Sequence, residues 1–180
     1  SQGSPQRYFD ASRVKFAQVL PAGTTLRLQV DSNSNAEWYD IDLIELEMLE
    51  PPRAKPPGFI SVTEYGAVAN DGIDDYDSVL NTIIAARNAG TGVWLPQGTF
   101  TLRDRVNVAD ITVTGAGPWY SVIAGQDGKG GFYATGGNVT LAHFMVSGET
   151  FERNDGADHA AFEGNFGRGS LIQNVWVEHT

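Results

Sequence analysis

The chain has 180 residues with 12 Lys and Arg, 22 Asp and Glu, no Cys and a formal net charge of −10. We expect no nucleic-acid partner, because neutralising phosphates requires clustered Lys and Arg. The absence of Cys excludes disulfides and thiolate metal sites. No apolar run approaches the roughly 20 residues that a membrane-spanning helix needs, so we expect no membrane partner either. A hydrophobic fraction of 41% is sufficient for a packed core.

The first 50 residues contain three segments in which polar and apolar side chains alternate. They cover residues 13–20, 25–30 and 38–49. Alternation with period two is typical of half-buried strands, and the first two segments, joined by a turn, resemble a hairpin. We therefore predict the C-terminal part of a β-sandwich at 1–50. A complete sandwich usually has about seven strands or more, so the first strands are expected to precede Ser1.

A proline-rich segment follows the predicted sandwich. Residues 51–58 read Pro-Pro-Arg-Ala-Lys-Pro-Pro-Gly. Proline removes backbone donors and favours extended backbone. We predict an interdomain linker here, with a second domain at 59–180.

The one helix that the sequence predicts spans residues 77–88. Apolar residues recur there with the helical period of 3.6. Asp74 or Asp75 is expected to cap its start, and Gly90 is expected to end it. Two short strands around a Pro and Gly turn are predicted within 92–102.

Similar strand ends recur after the helix. Residues 112–115, 145–148 and 176–179 share a pattern around a valine and are spaced by 33 and then 31 residues. Short strands with a fixed period of about 20 to 50 residues predict a solenoid, and the polar turns favour a parallel β-helix. The fold class is then all-β, with one helix that caps the open first coil. Because a solenoid needs more coils than these, we expect the chain to be a fragment.

The start of the predicted solenoid resembles a known superfamily. The residues are Tyr-Gly-Ala at 65–67, Asp-Gly-Ile-Asp-Asp at 71–75, the helix, and Val-Trp-Leu-Pro-Gln-Gly-Thr-Phe at 93–100. This order resembles the opening of the pectate-lyase-like right-handed β-helix superfamily. That superfamily contains polysaccharide lyases, polygalacturonase-like hydrolases and phage tailspike depolymerases, so the resemblance implies a fold and not one reaction.

Further segments resemble glycoside hydrolase family 87. They are Gly-Ala-Gly-Pro-Trp-Tyr-Ser at 115–121, Gly-Glu at 148–149 with Arg153 and Asp155, and Asn-Val-Trp-Val-Glu-His-Thr at 174–180. The family contains α-1,3-glucanases (mutanases) and mycodextranases, and a small β-sandwich precedes its β-helix. The resemblance implies an inverting hydrolase that acts on α-1,3-glucan or nigeran. Because this substrate is a polysaccharide, we expect a secreted bacterial enzyme that works outside the cell. We also expect it to be a monomer that requires no cofactor.

The family's catalytic aspartates lie on later coils, in an Ala-Asp-Gly segment and an Asp-Asp pair. Neither segment matches this sequence, so we assign no catalytic residue and expect the catalytic aspartates beyond Thr180. The acids of the coil region that could imitate such a pair are Asp155, Asp158, Glu163 and Glu178. Ordinary loop and turn positions in an acidic protein explain these acids as well.

Four residues are candidates for substrate contact. Arg153 and Asp155 could form the rim of a groove, or an ion pair that shapes a loop. Trp176 and Glu178 are expected to face outward, because the valines on either side of Trp176 face the core. Aromatic rings pack on the apolar faces of sugars, although coil packing is an alternative role for Trp176.

Asp42 is the candidate metal ligand. It lies on the third predicted strand, in a segment that resembles carbohydrate-binding sandwiches with a structural calcium. Calcium binds several hard oxygens, and the partners of Asp42 would precede Ser1. Simple solvent exposure on an alternating strand explains Asp42 nearly as well.

Two other function classes stay open. A polysaccharide lyase or polygalacturonase-like enzyme would act on uronic acids, but the sequence has no Lys and Arg cluster to neutralise them. A non-catalytic glycan-binding or tailspike-type module would bind polymer without cleaving it, and would form trimers.

Overall fold

The computed structural model describes residues 13–30, 32, 41–126, 129–148 and 160–179. The chain separates into two compact units, Ser1–Leu49 and Glu50–Thr180. No helix among the described residues is long and apolar enough to cross a membrane.

The described part of the first unit has irregular backbone. A turn is closed by hydrogen bonds from the backbone N and the hydroxyl of Thr24 to the Pro21 carbonyl, at 3.1 and 2.7 Å. The strands predicted within 13–30 and 41–49 are not present in these residues, and 38–40 lie outside the described ranges. Their alternating apolar side chains are exposed, as at Val14 and Leu43. A strand is stable only when its backbone and its apolar face have partners, so the sandwich stays a prediction.

The described part of the second unit contains one α-helix and ten strands. In chain order these are β1 (Ile60–Ser61), α1 (Tyr76–Ala89), β2 (Val93–Leu95), β3 (Gly98–Leu102), β4 (Val106–Val108), β5 (Ile111–Gly115), β6 (Ser121–Gly125), β7 (Phe132–Ala134), β8 (Val139–Ser147), β9 (Phe162–Gly164) and β10 (Leu171–Glu178). A short 3₁₀ helix, Val62–Tyr65, lies between β1 and α1.

The strands stack as the coils of a parallel β-helix. One sheet has the order β1-β2-β5-β8-β6-β3, with β10 also beside β8, and a second sheet has the order β4-β7-β9. Every pairing is parallel. The long strand β8 pairs with β5 along its first half and with β6 along its second half. The predicted fold class, mostly β with one capping helix, is therefore confirmed.

The register confirms one predicted spacing and corrects the other. Trp176 pairs with Met145, as the spacing of 31 residues requires. The spacing of 33 is wrong, because Val113 pairs with Leu141. The second coil has a loop at 116–120 between β5 and β6, whereas β8 continues through the same position without an insertion. Unequal coil lengths therefore shift the sequence repeat relative to the structural one.

The helix covers the first coil. It begins at Tyr76 and ends at Ala89, one residue beyond the prediction at each end, and Gly90 ends it with a left-handed φ of 64°. Its inner face buries Val79 and Ile83 in the common core. The helix thus shields apolar side chains that the open end of the stack would otherwise expose.

The two aspartates before the helix share the predicted capping role, because Asp75 holds the N-cap position and the Asp74 carboxylate accepts the N–H of the first helical residue. Asp75 occupies the N-cap position, but its carboxylate accepts hydrogen bonds from the backbone N of Val68 and Thr101, at 2.9 and 3.3 Å. Burial raises the pKa of the Asp75 carboxyl, although those hydrogen bonds act in the opposite direction. Asp74 accepts from the backbone N of Tyr76 at 3.1 Å and is paired with Arg103.

The proline-rich segment lies against the β-helix and ends in a turn, in which the Phe59 backbone N–H donates to the Pro56 carbonyl at 3.2 Å. Arg53 donates its backbone N–H to the Ala116 carbonyl at 2.9 Å. The Tyr120 hydroxyl donates to the Glu50 carbonyl at 2.7 Å. These bonds hold the segment against the loop between β5 and β6, so it is an ordered part of the second unit.

The core depends on aromatic side chains that point into the stack. Phe100, Phe132 and Phe144 are fully buried. The rings of Phe132 and Phe144 meet edge to face, with centroids 5.6 Å apart. Aromatic pairs in this geometry add to the free energy gained by burial alone, and this pair joins the two sheets.

We predict that Phe144→Ala lowers the free energy of unfolding by about 3–5 kcal/mol, because it leaves a cavity in a packed core. Chemical denaturation followed by circular dichroism measures the change. Tyr133→Ala is the matched control, since Tyr133 follows Phe132 in β7 but is 39% exposed. The control should cost about 1 kcal/mol or less, and equal losses in the two variants would contradict this description of the core.

Candidate functional site

The outward-facing side chains of four strands form two rows across the coils. The first row contains Thr99, Val122, Met145 and Trp176, and the second contains Thr101, Ala124, Ser147 and Glu178. Three of the four residues between the rows, Phe100, Ile123 and Val146, are fully buried, and the fourth, Val177 on the last described strand, is 39% exposed. Successive side chains of a strand point to opposite faces, so both rows point away from the core; seven of the eight residues are half-buried, and Ala124 is buried. We call these two rows the outer ladder.

Trp176 and Glu178 interact on the last described strand. The Trp176 indole N–H donates to the Glu178 Oε2 at 2.9 Å, and the other carboxylate oxygen lies 3.8 Å from the Nε2 of His179. Both side chains are half-buried. Their outward orientation agrees with the sequence analysis, and the hydrogen bond fixes the indole on the ladder. Their role in substrate contact stays a prediction.

Of the other candidate substrate contacts and acids, only Glu163 lies among the described residues. Arg153, Asp155 and Asp158 lie outside the described residues. Glu163 lies on β9 in the other sheet, where its carboxylate pairs with Arg105 at 2.7 Å. Glu163 and Glu178 therefore do not form a carboxylate pair on one face.

Asp42 lies in the first unit and is exposed. Within the described ranges, no group of three or more His, Cys, Asp or Glu side chains could hold a metal ion. The calcium assignment of Asp42 stays a prediction.

A bend in β8 and β10 brings together two residues that the sequence analysis did not select. His143 and Asn174 have positive φ angles of 61° and 50°, and their side chains meet at 3.3 Å between Nδ1 and Nδ2. The His143 carbonyl accepts a hydrogen bond from the backbone N of Gly117 at 2.8 Å. Asparagine at a bend is a recognisable signal, because it tolerates left-handed backbone, but histidine at a bend is not.

A second bend places a carboxylate and an amide side by side. Asp110, before β5, and Asn138, before β8, have φ angles of 47° and 55°. The Asn138 Nδ2 donates to the Asp110 Oδ1 at 2.9 Å. Both residue types tolerate left-handed backbone, so the sequence could predict a bend at each position. The unequal coil lengths concealed that the two bends stack.

The His143 imidazole makes the bend sensitive to pH. Burial, followed by the positive charge of Arg53, lowers its pKa below the usual value. The unfolded chain, with a pKa of about 6.5, therefore binds the proton more readily than the folded chain. Stability is at its full value above that pH and falls as the pH drops from the unfolded pKa toward the folded pKa.

We predict that His143→Asn removes this loss, since asparagine also accepts a positive φ. As the pH is lowered from 7.5 to 5, the melting temperature of the variant minus that of the unchanged protein should increase. Thermal denaturation at several pH values measures it, with pH 8 as the reference. A difference that is constant, or that decreases with falling pH, would show that His143 does not titrate in this way.

Comparisons with known proteins agree with the two-unit organisation. A family model described as rhamnogalacturonase A/epimerase, pectate lyase-like, matches residues 59–174. A model described as α-1,3-glucanase catalytic domain D1 matches residues 1–49. The comparison with curated proteins finds no match.

Solved structures include similar chains. The Agl-KA catalytic domain is 32% identical with a TM-score of 0.65, over 74% of this chain and 25% of that one. The catalytic unit of a thermostable family 87 α-1,3-glucanase from Streptomyces thermodiastaticus strain HF3-3 is 30% identical with a TM-score of 0.65, over 74% and 24%. A family 87 α-1,3-glucanase catalytic domain in complex with nigerose is 22% identical with a TM-score of 0.57, over 73% and 23%, and supports the fold alone.

The chain spans about a quarter of the length of these relatives. The pectate-lyase-like model covers most of the chain, and the glucanase model covers the unit before it. The resemblance found in the sequence is therefore confirmed. The chain belongs to the pectate-lyase-like β-helix family and, within it, is similar to the catalytic domains of the family 87 α-1,3-glucanases.

Proposed function

We propose that this chain is part of a secreted hydrolase that cleaves α-1,3-glucan or nigeran with inversion. The observation that carries the proposal is the order of the two family matches. The α-1,3-glucanase D1 model matches the first unit, and the β-helix follows directly along the chain. The 32% identity to the Agl-KA catalytic domain supports the same assignment.

The outer ladder offers a surface suited to a neutral glucan. Successive coils repeat about every 4.8 Å, so a polymer lying across them would meet equivalent positions in each coil. The Trp176 indole can pack against the apolar face of a pyranose ring. Glu178 can accept hydrogen bonds from sugar hydroxyls, while Ser147 and Thr101 can both donate and accept. The outer ladder would thus bind and orient the glucan polymer.

The catalytic step needs a different set of groups. Inversion requires a carboxylic acid that protonates the leaving oxygen and a carboxylate that activates water, about 6.5–9.5 Å apart. Glu178 is the only carboxylate among the described outer-ladder positions. We assign Glu178 to substrate binding and place the catalytic aspartates beyond Thr180.

The proposed function also assigns roles to Arg153, Asp155 and Asp42. Arg153 and Asp155 would contribute to the rim of the substrate groove. Asp42 would be a ligand of a structural calcium in the first unit, in a protein that otherwise requires no cofactor. The protein would act outside the cell as a monomer.

The reaction is tested with the natural polypeptide that carries this chain and with insoluble α-1,3-glucan. Proton NMR at early times should show reducing ends that form in the β configuration, because inversion changes the α linkage. Products that first form in the α configuration would contradict the mechanism. An unsaturated product that absorbs in the ultraviolet would identify a lyase.

We predict that Trp176→Ala weakens binding of α-1,3-glucan about tenfold, or about 1.4 kcal/mol. The variant loses the ring that packs on the sugar and leaves Glu178 without its indole partner. Pull-down with insoluble glucan measures the affinity. Tyr65→Ala is the matched control, because Tyr65 is a 44% exposed aromatic residue of the cap region. Equal glucan affinities of Trp176→Ala and the unchanged protein would contradict the proposal that glucan binds on the outer ladder.

A further inference from the structure

A second polar surface lies at the capped end of the β-helix, apart from the outer ladder. A cleft of about 500 Å³ is lined by Phe59, Arg87, Asp110, Thr112, Asn138 and residues 90–92. An adjoining depression of about 380 Å³ is lined by Ile84, Asn88 and the same Arg87 and Asp110. Both are shallow and open to solvent. This surface is at the start of β5 and β8, whereas Trp176 and Glu178 are near the end of β10.

The polar groups of the cleft come from three rigid elements. Arg87 is in the last turn of α1, and Asp110 and Asn138 occupy equivalent bends of successive coils. The hydrogen bond from Asn138 Nδ2 to Asp110 Oδ1 fixes both side chains. The second carboxylate oxygen of Asp110 and the amide oxygen of Asn138 remain able to accept hydrogen bonds. The cleft therefore presents the Asp110–Asn138 pair in a fixed position, with the exposed Arg87 side chain beside it.

An aromatic ring forms one wall of the cleft. The Phe59 ring packs so closely on Gly92 that a Cβ at that position would lie 2.3 Å from a ring carbon. Thr91, beside it, donates its hydroxyl to the Gly58 carbonyl at 2.8 Å. The absence of a side chain at residue 92 thus determines where the ring lies. An aromatic wall with polar groups nearby matches the two-sided character of a sugar, which has apolar C–H faces and a rim of hydroxyls.

The cleft is lined by one positive and one negative side chain, which favours a ligand that can accept from one and donate to the other. Arg87 and Asp110 both line it, yet they form no ion pair with each other or with another described residue. An anion would be attracted by Arg87 but repelled by Asp110. A cation would be attracted by Asp110 but repelled by Arg87. A neutral polyol can accept from the guanidinium and donate to the carboxylate at the same time.

We propose that this cleft is a secondary, non-catalytic binding site for a neutral oligosaccharide. It would hold a segment of polymer at the capped end of the β-helix while another segment occupies the outer ladder. Two linked sites on one polymer raise the effective concentration at each of them. The inference depends on the proposed function only for the choice of α-1,3-glucan as the ligand.

The test uses the natural polypeptide and a non-hydrolysable, thio-linked α-1,3-glucose trisaccharide. Isothermal titration should detect two sites. Asp110→Asn keeps the side-chain shape and the tolerance for a positive φ but removes the charge, and it should weaken one site about tenfold. Gly92→Ala should weaken the same site, because the new Cβ displaces the Phe59 ring. Asp104→Asn is the matched control, since Asp104 is an exposed acid elsewhere on the same unit, and it should change neither site.

The outcomes separate this inference from the proposed function. If Trp176→Ala abolishes all binding while Asp110→Asn and Gly92→Ala change nothing, the cleft is not a binding site, although the hydrolase proposal stands. If glucan is not cleaved but trisaccharide binding still depends on Asp110, the cleft is confirmed and the hydrolase proposal fails. Tighter binding of a trigalacturonate, dependent on Arg87, would overturn the preference for a neutral ligand.

Discussion

The parallel, in-register stacking of coils is the constraint on which the rest of the structure depends. Each coil places its inward side chains directly over those of the coil before it, so Phe100, Ile123 and Val146 form one continuous buried row. The same register brings the outward residues into rows, which produces the outer ladder. The same strand register therefore determines both the packing of the core and the positions of the candidate site residues. A change in register would move both.

The bends between strands convert this repetition into specific sites. Left-handed residues at Asp110, Asn138, His143 and Asn174 let the chain turn while the strands stay stacked. Because the bends also stack, their side chains meet in pairs, one of an acid with an amide and one of an imidazole with an amide. The bends thus place paired polar groups at the corners between the strands.

The sequence predicted the features that local chemistry determines. Helical periodicity and Gly90 located α1 to within one residue, and the alternation around Trp176 predicted its outward face. The pairing of Val113 was not predictable, because the loop at 116–120 lengthens one coil and conceals the true repeat. The role of Asp75 was also missed, since its partners Val68 and Thr101 are brought to it only by the fold. Long-range register, not local propensity, accounts for these errors.

We propose that a neutral glucan binds across the coils on the outer ladder. A crystal structure of the natural polypeptide with an α-1,3-linked gluco-oligosaccharide tests it most directly. We expect a pyranose ring packed on the Trp176 indole, with a sugar hydroxyl donating to Glu178. An oligosaccharide bound on another face, with the ladder empty at full ligand occupancy, would contradict it.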